Sequence, residues 1–271
     1  MSEPLTAFGL ASDVLLSQAL FLTAVSFVVG ALGGFVGLAL GTVRLPAMLL
    51  LGMPVAIAGG TNILVSTLSA LAGSFGHWRE RRIDRELVLW MGVPSFAGGL
   101  AGGLLAGRVN DGLLLTGVGA FALWQGIEFA LMARAPEPAA RGGVSRGRLV
   151  LEATIGLVVG AIGGAVGLIL GSIRLPVLVR GLGVDPRVAA GSNLFIGVLL
   201  GVAGWIGHVA IGAVDYPLLV LLGASGVAGQ LVGARWTGRA RRGVLLATMA
   251  AVLVFVGALL LRDGIARLGS M

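Results

Sequence analysis

Two arginines stand in otherwise apolar runs, Arg44 just before Pro46 and Arg174 just before Pro176. A proline cannot continue the hydrogen bonding of a helix, so both places predict a broken helix. A guanidinium group stays charged and presents a planar fork of N–H donors that suits oxyanions. The pattern therefore predicts two arginines that face a central polar cavity and bind an anion. The alternative, in which both side chains extend to a water interface, stays open.

A short motif of small and polar residues follows each arginine, Gly59-Gly60-Thr61-Asn62 in one place and Ala190-Gly191-Ser192-Asn193 in the other. Thr, Ser and Asn side chains cap the free amides of helices, so both motifs predict helix starts. A helix N-terminus attracts anions through its N–H groups and its dipole. Ordinary capping at a water interface is the other interpretation. We expect the polar residues of both motifs to join the arginines in one substrate-binding site: Thr61, Asn62, Ser192 and Asn193.

The two histidines of the chain, His77 and His208, follow these motifs at matching distances. Histidine changes its charge near neutral pH, so the matched placement favours a role in gating or proton coupling. A structural role at a water interface is the alternative. Two histidines without cysteine or a carboxylate cluster make a poor metal site. The apolar segments also lack a nucleophile–base pair, and we therefore expect no enzyme, no metal and no other cofactor.

The composition indicates that a membrane surrounds these residues. Hydrophobic residues make up 57% of the 271 residues and charged residues 11%, and the mean hydropathy is +1.01. A water-soluble domain carries about 25% charged residues. The net charge of +7 comes from arginines that cluster between apolar segments, a pattern typical of cytoplasmic loops facing anionic lipid. We therefore predict an all-α, polytopic helical membrane protein without a nucleic-acid surface.

The second half of the chain repeats the first. Residues 29–46 match residues 159–176 at an offset of 130, and the offset then becomes 131, so that residues 60–62 match residues 191–193. A charge near mid-bilayer costs about 2.5–3.5 kcal/mol on insertion scales, so two equivalent arginines imply a common task. The predicted domains are a first transmembrane repeat over 1–133, a polar linker over 134–148 and a second repeat over 149–271.

The number of crossings per repeat depends on the short stretches that contain the prolines, residues 45–58 and 175–184. If they only dip into the bilayer, each repeat has four spans. If they count as crossings, each repeat has five segments, and 13 arginines lie in the loops of one side against Arg108, Arg262 and Arg267 on the other. The positive-inside rule favours five. An odd number also inverts the repeats, so we expect two tandem, inverted repeats, each with a broken helix.

These features together resemble the TauE/SafE family of sulfite exporters. Each half opens with a glycine-rich apolar helix that ends near Pro46 or Pro176 and is followed by Gly-Thr-Asn or Gly-Ser-Asn. The resemblance covers almost the whole chain and implies transport of sulfite, sulfonates or related organic anions, often outward and without ATP. The family motif has a small or apolar residue before the Leu-Pro pair. Arg44 departs from that motif, and the departure favours an anion as substrate.

We therefore predict a secondary transporter that exports a small sulfur-containing anion, sulfite or an organosulfonate, by alternating access at the repeat interface. An anion channel with the same basic constriction is the alternative function. The predicted location is the inner (plasma) membrane, as a multi-pass protein. The predicted partners are the small anionic substrate, the lipid bilayer and a second copy of the chain in a homodimer. Nucleic acid is not expected.

Overall fold

The computed structural model describes residues 4–7, 10–36, 39–108, 110–132, 146–235 and 242–269. An antiparallel hairpin of two short strands, β1 (Pro4–Ala7) and β2 (Leu10–Leu15), precedes the helices and is not indicated by the sequence pattern. Most of the predicted linker, residues 134–145, lies outside the described residues. Its last three residues already belong to a helix that begins at Arg146.

Five helices precede the linker. They are α1 (Leu16–Val36), α2 (Gly41–Leu50), α3 (Val55–Arg79), α4 (Arg85–Arg108) and α5 (Asp111–Met132). Within α4, residues Val88–Gly92 form a π-helical turn.

Five helices follow the linker. They are α6 (Arg146–Val166), α7 (Gly171–Pro176), α8 (Pro186–Ala210), α9 (Tyr216–Arg235) and α10 (Arg242–Gly269). The chain continues from α7 into a second π-helical turn, Val177–Gly181. Among the described residues, seven helices are long and apolar enough to span a membrane, which confirms the prediction of a polytopic helical membrane protein.

Both predicted helix starts are wrong. α3 begins at Val55 after Pro54, and α8 begins at Pro186 after Asp185, whose carboxylate accepts a hydrogen bond from Arg187 N at 2.9 Å. A proline at the start of a helix sacrifices no intrahelical bond, and an Asp cap satisfies a free amide. The Gly-Thr-Asn and Gly-Ser-Asn motifs therefore lie inside helices, and their side chains contact other elements.

The two halves are interleaved. α1 packs along α9 in the same direction, since Gly30 lies against Gly226 and Gly34 lies against Gln230. In the matching contact, α4 packs along α6 in the same direction, and a Cβ at Gly102 would overlap the carbonyl oxygen of Ala161. Small residues allow backbones to approach this closely in lipid, where no hydrophobic force holds helices together. A Cβ at any of four glycines would overlap the backbone of the facing helix, so these glycines form the packing faces: Gly98, Gly102, Gly229 and Gly233.

α3 and α8 cross the centre of the molecule in opposite directions. Thr67 contacts Gly201 and Ile63 contacts Gly204, so the residue numbers rise in one helix as they fall in the other. The two helices are therefore antiparallel, and the start of each lies beside the end of the other. The central position of this pair makes it the element that holds both motifs in place.

The short proline-containing helices are half-length elements. α2 begins with Gly41 beside Asn62 and Ser66 of α3 and ends at Leu50, close to the start of α3. Its 10 residues span about 15 Å, half of a hydrocarbon core of about 30 Å. α7 has the matching position, with Gly171 against Asn193 of α8. Each short helix thus returns the chain from the middle of the molecule to the end at which the next long helix begins.

Candidate functional site

Arg44 of α2 is buried in the middle of the first half, with 1% of its surface exposed. Its Nε donates to Asn62 Oδ1 at 2.9 Å, its Nη1 donates to Ser26 Oγ at 3.0 Å, and its Nη2 donates to Ser66 Oγ at 2.8 Å. All three partners are neutral. The charge is therefore held by dipoles alone, from α1 and α3.

Arg174 of α7 is buried to the same degree, with 0% exposed, but it is held at one atom only. Its Nε donates to Asn193 Oδ1 at 3.1 Å. Neither Nη1 nor Nη2 has a hydrogen-bond partner in the described part of the chain. The outer edge of this guanidinium group is thus a pair of buried, unpaired donors.

The two asparagines, predicted to bind the substrate, hold the arginines instead. Besides accepting from Arg44, Asn62 donates through Nδ2 to the carbonyl oxygen of Gly167 at 2.9 Å, which ties α3 to the end of α6. Asn193 donates through Nδ2 to Gly171 O at 3.1 Å, at the start of α7, the short helix that carries Arg174. Each asparagine therefore fixes both an arginine and the backbone at a helix break.

Thr61 and Ser192 form hydrogen bonds elsewhere, and among the described residues neither is hydrogen-bonded to an arginine. Thr61 Oγ1 accepts from the amide of Asp215 at 2.9 Å, and Ser192 Oγ accepts from the amide of Asp84 at 2.9 Å. Asp84 and Asp215 are the residues immediately before α4 and α9. These two hydroxyls connect the start of α3 with α9 and the start of α8 with α4.

The histidines lie in the last turns of α3 and α8, against the glycines of the opposite motif. A Cβ at Gly60 would lie 2.8 Å from the Cβ of His208, and a Cβ at Gly191 would lie 2.9 Å from the Cβ of His77. His208 is fully buried, and its Nε2 lies 2.9 Å from Gly164 O. Each histidine thus closes one end of the α3–α8 pair.

The structure brings the six predicted substrate-binding residues together only in part. Arg44 joins Asn62 and Arg174 joins Asn193, but within the described ranges the two guanidinium groups have no hydrogen-bond partner in common. The sequence pattern missed two hydroxyls that hold the guanidinium group of Arg44, those of Ser26 and Ser66. Spacing could have indicated Ser66, because it follows Asn62 by one helical turn and so lies on the same face of the helix.

A cavity of about 860 Å³ opens where α3 ends and α4 begins. Its lining includes Arg79, Arg81 and Arg85 from the turn between these helices, and Phe195 from α8. We call it the basic cavity. Phe195 stands two residues along α8 from Asn193, the partner of Arg174.

The sequence pattern of the sulfite exporter TauE/SafE family matches residues 22–260, which include most of α1, all of α2 to α9 and most of α10. The chain belongs to the TauE/SafE family. The match confirms the resemblance found in the glycine-rich helices and their Gly-Thr-Asn and Gly-Ser-Asn motifs.

Named relatives agree with the family. The chain is 27% identical to the probable membrane transporter protein YdhB of Bacillus subtilis, over 88% of this chain and 98% of the relative. It is 23% identical to the probable membrane transporter protein YunE of the same organism, over 90% of this chain and 97% of the relative. No solved structure matches the chain. The protein is a multi-pass membrane transporter that acts on a small substrate, and it is not an enzyme.

Proposed function

We propose that this transporter exports a small sulfur-containing anion, sulfite or an organosulfonate, by alternating access at the interface between two inverted repeats. The observation that carries the proposal is a pair of buried arginines at equivalent positions, neither of which forms an ion pair with a carboxylate in the described segments. Buried charges are costly and persist where they serve a substrate. The polar residues of the two motifs supply further hydrogen bonds along the pathway: Thr61, Asn62, Ser192 and Asn193.

The packing directions support the inverted arrangement. α3 runs antiparallel to α8, its equivalent in the second repeat. α1 lies parallel to α9. Their equivalents in the other repeat are α6 and α4, and these two helices are also parallel to each other. Such an exchange of partners is expected of two repeats related by a twofold axis in the membrane plane. The short helices α2 and α7, which contain Pro46 and Pro176, then lead from the centre to opposite sides.

The orientation follows from the arginine-rich loops. If α2 and α7 return the chain as half-length crossings, the turn from Arg79 to Arg85 shares one side with the linker and with the start of α8. This side is cytoplasmic by the positive-inside rule, and the membrane is the inner membrane of the cell. The basic cavity then opens to the cytosol, where an exporter collects its anion. A homodimer remains a prediction from the sequence.

His77 and His208 act as gates in this scheme. Each packs on the motif glycine of the opposite repeat, one at either end of the α3–α8 pair. Separating the two helices at one end removes one histidine from its glycine and leaves the other contact closed. Alternating access requires this kind of exclusive opening. Protonation of the histidine at the open end provides a route for proton coupling.

Flux measurements test the proposed function. The purified protein in proteoliposomes should carry radiolabelled sulfite or an organosulfonate with saturation and should respond to an imposed gradient. Unitary fluxes far above carrier turnover would establish the channel alternative instead. The absence of flux for both classes of anion, with correctly folded protein in the vesicles, would reject the proposed substrate.

Replacing Arg174 with Gln should reduce this flux about tenfold or more, because a hydrogen bond to a charged group contributes about 1.5–3 kcal/mol. Arg44→Gln should reduce the flux as well, because it removes the buried charge and the bonds that join α2 to α1 and α3. Arg174→Lys should recover part of the flux only, since the charge returns without the planar fork. Exposed Arg267→Gln is the matched control for the loss of one positive charge. Unchanged flux in both buried variants would contradict a role for the arginines.

A further inference from the structure

The two buried arginines are equivalent in sequence but not in bonding. Each of the three guanidinium nitrogens of Arg44 has a partner, whereas within the described part of the chain Nε is the one nitrogen of Arg174 that has a partner. No carboxylate of the described residues is hydrogen-bonded to Nη1 or Nη2 of Arg174. A buried, charged donor without a partner is strongly unfavourable, so something outside the chain must complete it.

The sequences of the two repeats account for this difference in hydrogen bonding. At the offset of 130 that relates α1 to α6, Ser26 corresponds to Gly156. At the offset of 131 that relates α3 to α8, Ser66 corresponds to Gly197. The two positions whose hydroxyls hold Nη1 and Nη2 of Arg44 in the first repeat are therefore both occupied by glycine in the second repeat. A Cβ placed on Gly197 would lie 3.5 Å from Nη2 of Arg174, where the missing hydroxyl would otherwise stand.

The backbone around Arg174 is also different from that around Arg44. The π-helical turn Val177–Gly181 begins three residues after Arg174, and Gly156 packs on Met91 within the π-helical turn of α4. The equivalent segments of the first site, the end of α2 and residues 219–223 of α9, are α-helical. π-helical turns are rare and concentrate at functional sites. The second arginine thus has an open edge and irregular backbone on two sides.

We propose that the Nη1–Nη2 edge of Arg174 is the direct binding site of the transported oxyanion, and that Arg44 is closed by its serines and does not touch it. The inference rests on the proposed function and assigns its substrate contact to one repeat. Two oxygens of a sulfite, sulfonate or carboxylate group fit the two parallel donors of a guanidinium edge. Asn193 keeps Nε occupied and so leaves that edge as the one available for the anion.

Substitutions that leave both arginines in place test this asymmetry. Gly197→Ser provides Arg174 with the hydroxyl that Arg44 receives from Ser66, and Gly197→Ala adds the same Cβ without a hydroxyl. The Cβ meets the end of the Ile169 side chain at 2.8 Å in both variants, so the pair shares its steric effect. Ser66→Ala is the matched change in the first repeat. Sulfite, methanesulfonate and acetate serve as probes, with affinity measured by calorimetry on purified protein.

We expect Gly197→Ser to bind the probe anion about tenfold more weakly than Gly197→Ala, because the hydroxyl competes for a charged donor. Without any probe, Gly197→Ser should have the higher melting temperature of the two. Ser66→Ala should melt below the wild type and keep its affinity. Arg174→Lys should lose most of the affinity, because the paired edge is gone.

The outcomes separate the two proposals. Equal affinity in the two Gly197 variants, or loss of binding in Ser66→Ala instead, would overturn the assignment to Arg174 while sulfite flux leaves the proposed function standing. Acetate binding that depends on Arg174, without binding or flux of either sulfur anion, would support the site and overturn the proposed substrate. A wild type that binds none of the three probes would overturn both.

Discussion

The side chain of Asn62 forms hydrogen bonds with two polar groups in the core. Its amide oxygen accepts from Arg44 and its amide nitrogen donates to the backbone of Gly167. The side chain has 0% of its surface exposed, so neither group can turn to solvent when the amide is removed. One residue thus links α2, α3 and the end of α6.

Asn62→Ala should therefore lower the free energy of unfolding by about 1–3 kcal/mol, the cost of leaving a buried polar group unpaired. Thr23→Ala is the control, because the Thr23 hydroxyl bonds only to Ala19 of its own helix, at a half-buried position. The control should change stability by no more than about 0.5 kcal/mol. Melting curves of both variants in the same detergent measure the difference, and equal shifts would contradict the bridging role.

The types of the site residues could be predicted, but their contacts could not. Repetition identifies Arg44, Asn62 and their equivalents without any structure. Which atoms meet depends on where each helix begins, and Pro54 and Asp185 begin α3 and α8 before the motifs. That early start places Thr61 and Ser192 at the amides of Asp215 and Asp84, away from the arginines.

At the scale of elements, the motif glycines determine how closely α3 and α8 approach their neighbours. Gly60 lies against the backbone of Ala213 and the side chain of His208, and Gly191 lies against Arg82 and His77. Both contacts occur at a helix end, where a gate would have to open. Helix propensity alone would disfavour glycine at these positions. Close packing between the repeats therefore explains why glycines stand there.

Gly60→Ala should reduce the yield of folded protein and lower its stability by about 1–3 kcal/mol, because the new methyl group overpacks the contact. Gly76→Ala lies in the same helix and meets no atom within 4 Å of its Cβ. It should be neutral or should stabilise α3 by up to about 1 kcal/mol. Thermal denaturation in detergent compares the two, and a Gly60→Ala protein as stable as Gly76→Ala would refute this packing role.

The half-length helices show why crossings could not be counted from the sequence. Residues 45–58 are apolar enough for either arrangement, and hydropathy does not distinguish a half-length return from a dip. The decisive facts are contacts between distant residues, such as Gly41 with Ser66 at one end of α2. The helical class, by contrast, depends on local patterns and could be predicted.

At the scale of the whole molecule, the proposed orientation predicts two faces with different access. The turn that contains Glu80 belongs to the arginine-rich side, and Ile211 belongs to the turn between α8 and α9 on the other side. The chain has no cysteine, so a single introduced cysteine is a unique label site. Both positions are exposed, Ile211 at 38%.

Ile211→Cys should react with a membrane-impermeant maleimide in intact cells, and Glu80→Cys should react only after the cells are permeabilised. The positive-inside rule is the physical basis of this expectation. Labelling of both variants with a permeant maleimide controls for expression and reactivity. The reverse pattern would place the basic cavity outside the cell and turn the proposed exporter into an importer.

The interleaving of the halves also has a consequence for biosynthesis. α1 emerges from the ribosome first, but the helix that covers its glycine face is α9, which ends at Arg235. At about 5–20 residues per second, roughly 10–40 s pass before that partner exists. During this interval the glycine face of α1 lacks its partner helix, although Ser26 can already meet Arg44 of α2. The final assembly of the transporter is therefore post-insertional, and neither repeat can complete its packing until the other has been made.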